Sequence, residues 1–163
     1  MSKKISRTIP LVFAIGTIMA LTAMIYSFNS YVSAYTALRM FNVSIPEFNV
    51  IEHNATNINI ETILTLSNPA PQEFYIFYFE QRIYLNGEFF AFTRPSEPSE
   101  YHPMRIPSQS STNVTIDTIV PPAKVEMFQE NTTRNWFTSI LVLLDGPIIG
   151  RYRLTISREI GTS

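Results

Sequence analysis

No cysteine occurs among the 163 residues, so disulfides, thiol catalysis and Cys-ligated zinc are excluded. That absence says nothing about compartment, since exported proteins need not use disulfides. Charge is scarce as well, at 15% of residues, which suits a membrane-associated or exported chain. Only two histidines are present, His53 and His102, so no His pair stands at metal-ligand spacing. HExxH, G-x-S-x-G and the P-loop are all missing. Standard catalytic signatures are therefore absent, and no residue set announces a chemistry. The length leaves room for one domain plus an appendage.

Acidic residues are missing from one end. Lys3, Lys4, Arg7 and Arg39 are the only charges in the first forty positions, and all 13 acidic residues lie beyond them. A basic head of Ser2 to Thr8 precedes an uncharged run from Ile9 to Tyr26, about the length that crosses a hydrocarbon core. Basic residues on the near side predict a cytoplasmic N-terminus and an extracytoplasmic C-terminal domain at the cell membrane. A cleaved signal peptide is the rival reading, with Val32-Ser33-Ala34 as an acceptable cleavage motif. The apolar run is long for a signal and continues helically past that motif, which favours retention. The domain division expected is thus 1–40, basic head and transmembrane helix, and 41–163, an external domain. That domain is mildly acidic with scattered Arg, a composition that points away from nucleic acid.

Within the helix, Gly16, Ala20, Ala23, Ser27, Ser30, Ala34 and Ala37 recur at alternating spacings of four and three. A heptad seam of small residues lies along one helix face, and in lipid such a face lets backbones approach closely. The seam predicts one continuous helix from Ile9 to Met40, roughly 45 Å long at ~1.5 Å per residue, packed on other transmembrane subunits. Tyr26, Tyr31 and Tyr35 fall where interfacial aromatics settle.

Beyond residue 40 the pattern is that of strands. Phe41 to Val50 alternates around Pro46, as an edge strand does. Ile58, Ile60, Thr62, Leu64 and Leu66 share one face of an extended chain, ended by Ser67-Asn68-Pro69. Phe74 to Phe79 is apolar on both faces, which predicts a strand buried between two layers. Asn86-Gly87, between Ile83-Tyr84-Leu85 and Phe89-Phe90, predicts a type I′ hairpin. Residues 92–107 form a proline-rich loop, too polar and broken for core. Thr112, Val114, Ile116, Thr118 and Val120 share a face, and Pro121-Pro122 stops that strand. Ala123 to Leu144 has helical spacing, with Val125, Phe128, Trp136, Ile140 and Leu144 inward and Asn131-Thr132-Thr133 dividing two short helices. A last strand runs from Ile148 to Ser157, with Tyr152, Leu154 and Ile156 on one side. Six or seven strands with one helical insertion indicate a mainly β fold, a β-sandwich.

The order of these features resembles the LEA-2 group, the late embryogenesis abundant family 2 or WHy-type domain. The residues that carry the likeness are the strand ending in Leu66-Ser67-Asn68-Pro69, the aromatic strand after it and the Tyr84-Leu85-Asn86-Gly87 hairpin. Ile106-Pro107 before Val114-Thr115-Ile116 and the closing Gly146 and Gly150-Arg151-Tyr152-Arg153-Leu154 complete it. The family has a polar residue after Asn-Pro where this chain has Ala70-Pro71. The resemblance covers about Val43 to Ile160. It implies an immunoglobulin-like sandwich without catalytic residues, often tethered by one N-terminal membrane helix and associated with stress protection. Fold transfers from such a likeness better than function does.

Candidate sites are few. His102-Pro103-Met104 is a loose copper-ligand pair in a loop, a poor site, and His53 beside Glu52 reads as an ordinary surface residue. Glu97 and Glu100 sit where nothing would desolvate them, which predicts a solubilising role. The chain calls for no cofactor and no metal. Asn42, Asn54, Asn113 and Asn131 each begin an N-x-S/T sequon on the predicted external side, and Asn54 and Asn131 fall in expected loops. Two functions fit: an accessory, non-catalytic subunit of a membrane complex, or a free-standing LEA-2-like stress or envelope protein that binds membrane, lipid or client proteins.

Overall fold

The computed structural model describes residues 5–54, 57–94, 102–131, 133–146, 148 and 150–161. Helix α1 (Ile5–Met40) runs unbroken into a β-domain. Its strands are β1 (Asn42–Asn54), β2 (Asn57–Asn68), β3 (Phe74–Leu85), β4 (Glu88–Thr93), β5 (Met104–Ile106) and β6 (Ser110–Ile119). Helix α2 (Pro122–Glu130) leads to β7 (Trp136–Gly146) and β8 (Gly150–Ile160). Two antiparallel sheets result, ordered β1-β2-β6 and β4-β3-β7-β8, with β5 pairing the start of β3. The chain is a mainly β fold of two antiparallel sheets behind one long apolar helix, with a short helical insertion, as expected.

Alternation in β2 is kept without a break: Ile58, Ile60, Thr62, Leu64 and Leu66 are all buried. Along β6 and just past its end the expected face also turns inward, with Thr112 and Val114 half-buried and Ile116, Thr118 and Val120 buried. Pro46 falls in a register shift of the edge strand β1, where a missing N–H does least harm. The Asn86-Gly87 turn has φ of 51° and 85°, the two positive angles of a type I′ hairpin.

The interior divides into two apolar clusters. One holds Leu64, Leu66, Phe74, Phe79, Ile116 and Ile140; the other holds Ile58, Ile60, Ile83, Val120, Phe128 and Trp136. A polar residue stands at the boundary in each of four strands: Thr62, Gln81, Thr118 and Thr138, all fully buried. Gln81 Nε2 donates to Thr62 Oγ1 at 2.7 Å and to Thr138 Oγ1 at 3.1 Å, and Thr118 donates to Gln81 Oε1 at 3.3 Å. The layer joins both sheets and satisfies itself.

Three expectations are corrected. Ala123 to Leu144 is not a pair of helices, because α2 ends at Glu130 and Trp136–Gly146 is a strand between β3 and β8. Trp136, Ile140 and Leu144 fit helical spacing, yet Thr138 and Val142 complete the same buried face with period two. The 92–107 loop contains strand β5, whose Ile106 is fully buried. Finally, β3 is not sandwiched between two layers. A register shift between Ile76 and Tyr78 changes its parity, so Phe74, Ile76, Phe79 and Gln81 all face the core. Phe77, at the shift, is buried beneath the Arg151 guanidinium, which stands 4.9 Å from its ring centre.

Candidate functional site

The place where helix meets sandwich is built by the last turns of α1. Ala34, Ala37 and Leu38 are 1%, 2% and 5% exposed, although the helix from Pro10 to Asn29 is exposed throughout. Ala37, Leu38 and Phe41 join the core cluster that contains Ala70, Phe74 and Ile106. Phe41 meets Phe74 edge-on, with ring centres 5.2 Å apart, and Gln72 Nε2 donates to Ser33 Oγ at 3.1 Å. Gly146 also packs on Phe74: a Cβ there would come within 2.8 Å of the ring, so only glycine permits this approach. Helix exit, start of β3 and end of β7 therefore interlock.

The small-residue seam is split by this junction. Gly16, Ala20, Ala23 and Ser27 lie exposed on the helix, Ser30 is half-buried, and Ala34 and Ala37 are covered by the chain's own sandwich. Pro10–Met40 is long and apolar enough to cross a membrane; a signal sequence near an N-terminus meets the same description. Tyr26, Tyr31 and Tyr35 are exposed.

A charged cluster lies on the outer face of the larger sheet. Glu80, 8% exposed, accepts from Tyr78 Oη at 2.8 Å and from Arg82 Nε and Nη2 at 2.8 and 2.7 Å. Arg94, stacked on Phe92, stands 3.7 Å away. Burial pushes the Glu80 carboxyl upward, but the Tyr78 and Arg82 hydrogen bonds and the charges of Arg82 and Arg94 outweigh it and hold the group below the usual carboxylate range. Burial, then the neighbouring carboxylate, raises the Tyr78 hydroxyl. Nearer the helix, Glu73 accepts from Tyr75 and from Arg105, and those bonds lower it in turn. A hollow of about 140 Å³ beside Glu80 also takes in Ser139, Arg153 and Thr155. Sequence alone does not single out Glu80. Its one signal was a lone carboxylate in an aromatic strand with Arg at +2, on the same strand face.

Among the described residues no three His, Asp or Glu side chains converge on a metal position. His102 is exposed, and Met104 is half-buried and packs on the core. Glu97, Glu100 and the His53 side chain lie outside the described residues.

The sequons differ in their surroundings. In β1 and β6 the strand period places Asn42 with Ser44, and Asn113 with Thr115, on the exposed face of the smaller sheet. Asn113 Oδ1 accepts from Thr65 at 2.9 Å. Asn131 is engaged at both ends: Nδ2 donates to Met127 O at 2.6 Å, closing α2, and Oδ1 accepts from Asn86 at 2.9 Å. Asn86 also donates to Thr133 O and accepts from the Asn135 N–H. The Asn54 sequon runs into residues outside those described.

Neither a known family profile nor any curated protein sequence matches the chain. Among solved structures it is similar to AT1g01470 from Arabidopsis thaliana, at 16% identity and TM-score 0.58, covering 73% of this chain and 80% of that one. It is also similar to a candidate late embryogenesis abundant (LEA) protein, At2g46140.1, at 11% identity and TM-score 0.56, covering 93% and 87%. A candidate ApaA protein from Bordetella pertussis gives 8% identity and TM-score 0.52, covering 76% and 94%. At such identities the likeness is one of fold, and the fold is LEA-like.

Proposed function

We infer that the protein is a non-catalytic, single-span membrane protein, an accessory subunit whose sandwich is held on the outer face of a membrane complex. The carrying observation is the junction. Ala34, Ala37 and Leu38 are covered by the sandwich and Ser33 bonds to Gln72, so cleavage after Ala34 would strip part of the domain's own packing. This supports a retained helix that holds the sandwich at fixed height. Gly16, Ala20, Ala23 and Ser27 then face lipid, and their small side chains suit a partner helix. The cytoplasmic N-terminus rests on Lys3, Lys4 and Arg7. Asn42 and Asn113, each exposed with its hydroxyl residue on the same face, are the sequons best placed for a glycan in a host with that machinery.

The test is native electrophoresis with mass spectrometry of protein extracted gently from its own membrane, wild type beside Ala20→Leu/Ala23→Leu. Co-migration with defined membrane proteins, lost in the double variant while the sandwich stays folded, is the expected result. A lone monomer overturns the subunit reading. The second reading, a free-standing LEA-2-like stress or envelope protein that binds membrane, lipid or clients, is favoured by the fold likeness and would then take its place.

A further inference from the structure

The end of the sandwich nearest α1 differs in composition from the far end. Its turn tips expose Pro69, Pro71, Pro107, Ser108, Gln109 and Ile148, none of them charged, and the charges of that end, the Glu73–Arg105 pair with Arg39 and Arg151, flank them. At the far end the exposed or half-buried residues include Glu88, Lys124, Glu126, Glu130, Arg134 and Glu159. Ile148 stands out. It is 61% exposed, and its φ of 76° is a left-handed conformation that a β-branched residue seldom takes. It lies two residues beyond Gly146, the glycine that packs on Phe74 and so on the helix exit.

Height follows from helix length. From Pro10 to Ser33 the axis runs about 35 Å at ~1.5 Å per residue, and a hydrocarbon core is about 30 Å thick. The Ser33–Gln72 bond therefore falls about 5 Å beyond the hydrocarbon edge, inside the headgroup layer. Whatever shares that end of the domain is at the same depth. Uncharged turn tips lose little by leaving bulk water, the flanking Arg39, Arg105 and Arg151 side chains suit a headgroup layer, and an exposed Ile gains by reaching the acyl boundary.

We propose that this end of the sandwich, with Ile148 as its apolar tip, is a second membrane contact seated in the headgroup layer of the bilayer that α1 spans. Two attachments, helix and rim, prevent the sandwich from swinging about the helix exit and fix which sheet face is turned to a neighbour. The inference rests on the membrane-spanning reading of α1.

The chain has no cysteine, so single-thiol variants can be labelled cleanly. Full-length Ile148→Cys, Pro71→Cys, Ile119→Cys and Leu21→Cys would each carry an NBD fluorophore in phosphatidylcholine vesicles, with nitroxide lipids as quenchers. Ile119 is 71% exposed at the far end and serves as the reference. Shallow nitroxides should remove roughly half of the emission at positions 148 and 71, which lie at interfacial depth, and almost none at 119. Deep nitroxides should quench position 21. Quenching at 21 with positions 148 and 71 no more affected than 119 overturns the rim contact alone. No quenching at 21 overturns the spanning reading, and the rim contact with it. Should Ile148→Cys fold poorly, Pro71→Cys reports on the same rim.

Discussion

Gln81 and Thr62 face each other across the middle of the sandwich, one from each sheet, with 2.7 Å between amide nitrogen and hydroxyl oxygen. Gln81 has two N–H groups and one carbonyl, and Thr62, Thr138 and Thr118 take up all of them in a site that excludes solvent. Replacing Gln81 by Leu leaves three buried hydroxyls short of a partner. An unmade buried hydrogen bond costs about 1–3 kcal/mol, so Gln81→Leu should lower unfolding free energy by at least about 2 kcal/mol. Adding Thr62→Val and Thr138→Val should recover part of that loss, since removing both partners is far cheaper than removing one. Urea unfolding of the three proteins, followed by the emission of Trp136, checks both steps.

This layer also explains which strands could be read from sequence and which could not. On their inward faces β2 has one Thr, Thr62, and β6 has two, Thr112 and Thr118, among branched apolar residues, and Thr is at home in a strand, so their alternation stands out. In β7 the inward Thr138 left Trp136, Ile140 and Leu144 as the visible apolar set, and their spacing of four is also helical. What makes that segment a strand is its pairing with β3 and β8, a long-range fact. β5 has only three residues and gains its place from pairing with Phe74, Tyr75 and Ile76. The Glu80 cluster was hidden for a similar reason. Arg94 comes from β4's end, and its approach depends on the hairpin register rather than on a motif. The helix was legible because length and missing charge suffice to define it; its docking on Phe74 was not.

Phe41 is the side chain through which α1 enters the core. It is 7% exposed and rests edge-on against Phe74. Truncating a buried Phe costs about 3–5 kcal/mol, toward the low end where the site lies at a domain's edge. Phe41→Ala should therefore destabilise the sandwich by about 3 kcal/mol in detergent, while Tyr31→Ala, exposed on the same helix, should change it by less than about 0.5 kcal/mol. Equal effects from the two would mean that the helix hangs free of the domain.

Asn131 and Asn113 both begin sequons but should respond differently to substitution. Asn131→Ala removes the bond that closes α2 at Met127 and the one from Asn86, for a loss of about 1–2 kcal/mol. Asn113→Ala removes one exposed contact with Thr65 and should cost under about 0.5 kcal/mol. Thermal melts of the unglycosylated proteins measure the difference. A glycan on Asn131 replaces one of the two hydrogens on a nitrogen that lies 2.6 Å from Met127 O and crowds that contact, so a folded chain glycosylated there should melt earlier, whereas one glycosylated at the exposed Asn113 should not.

The acid limb of stability should carry the signature of Glu80. Tyr78, Arg82 and Arg94 hold its folded-state carboxyl below the ordinary value of about 4.3. For a group depressed in the folded state, the ionised form is favoured by folding. Its contribution is complete above the unfolded value and fades as pH falls through the folded one. Glu80→Gln should therefore be less stable than wild type at pH 7, by about 1–3 kcal/mol for a hydrogen bond to a charged group. The gap should hold down to about pH 5 and narrow below about pH 4, as the wild-type carboxylate takes up its proton. Arg82→Lys keeps the charge but loses the second guanidinium contact, and should fall between the two. Denaturation curves from pH 7 to pH 3 decide it. A gap that stayed constant with pH would show that Glu80 acts through packing and not through its charge.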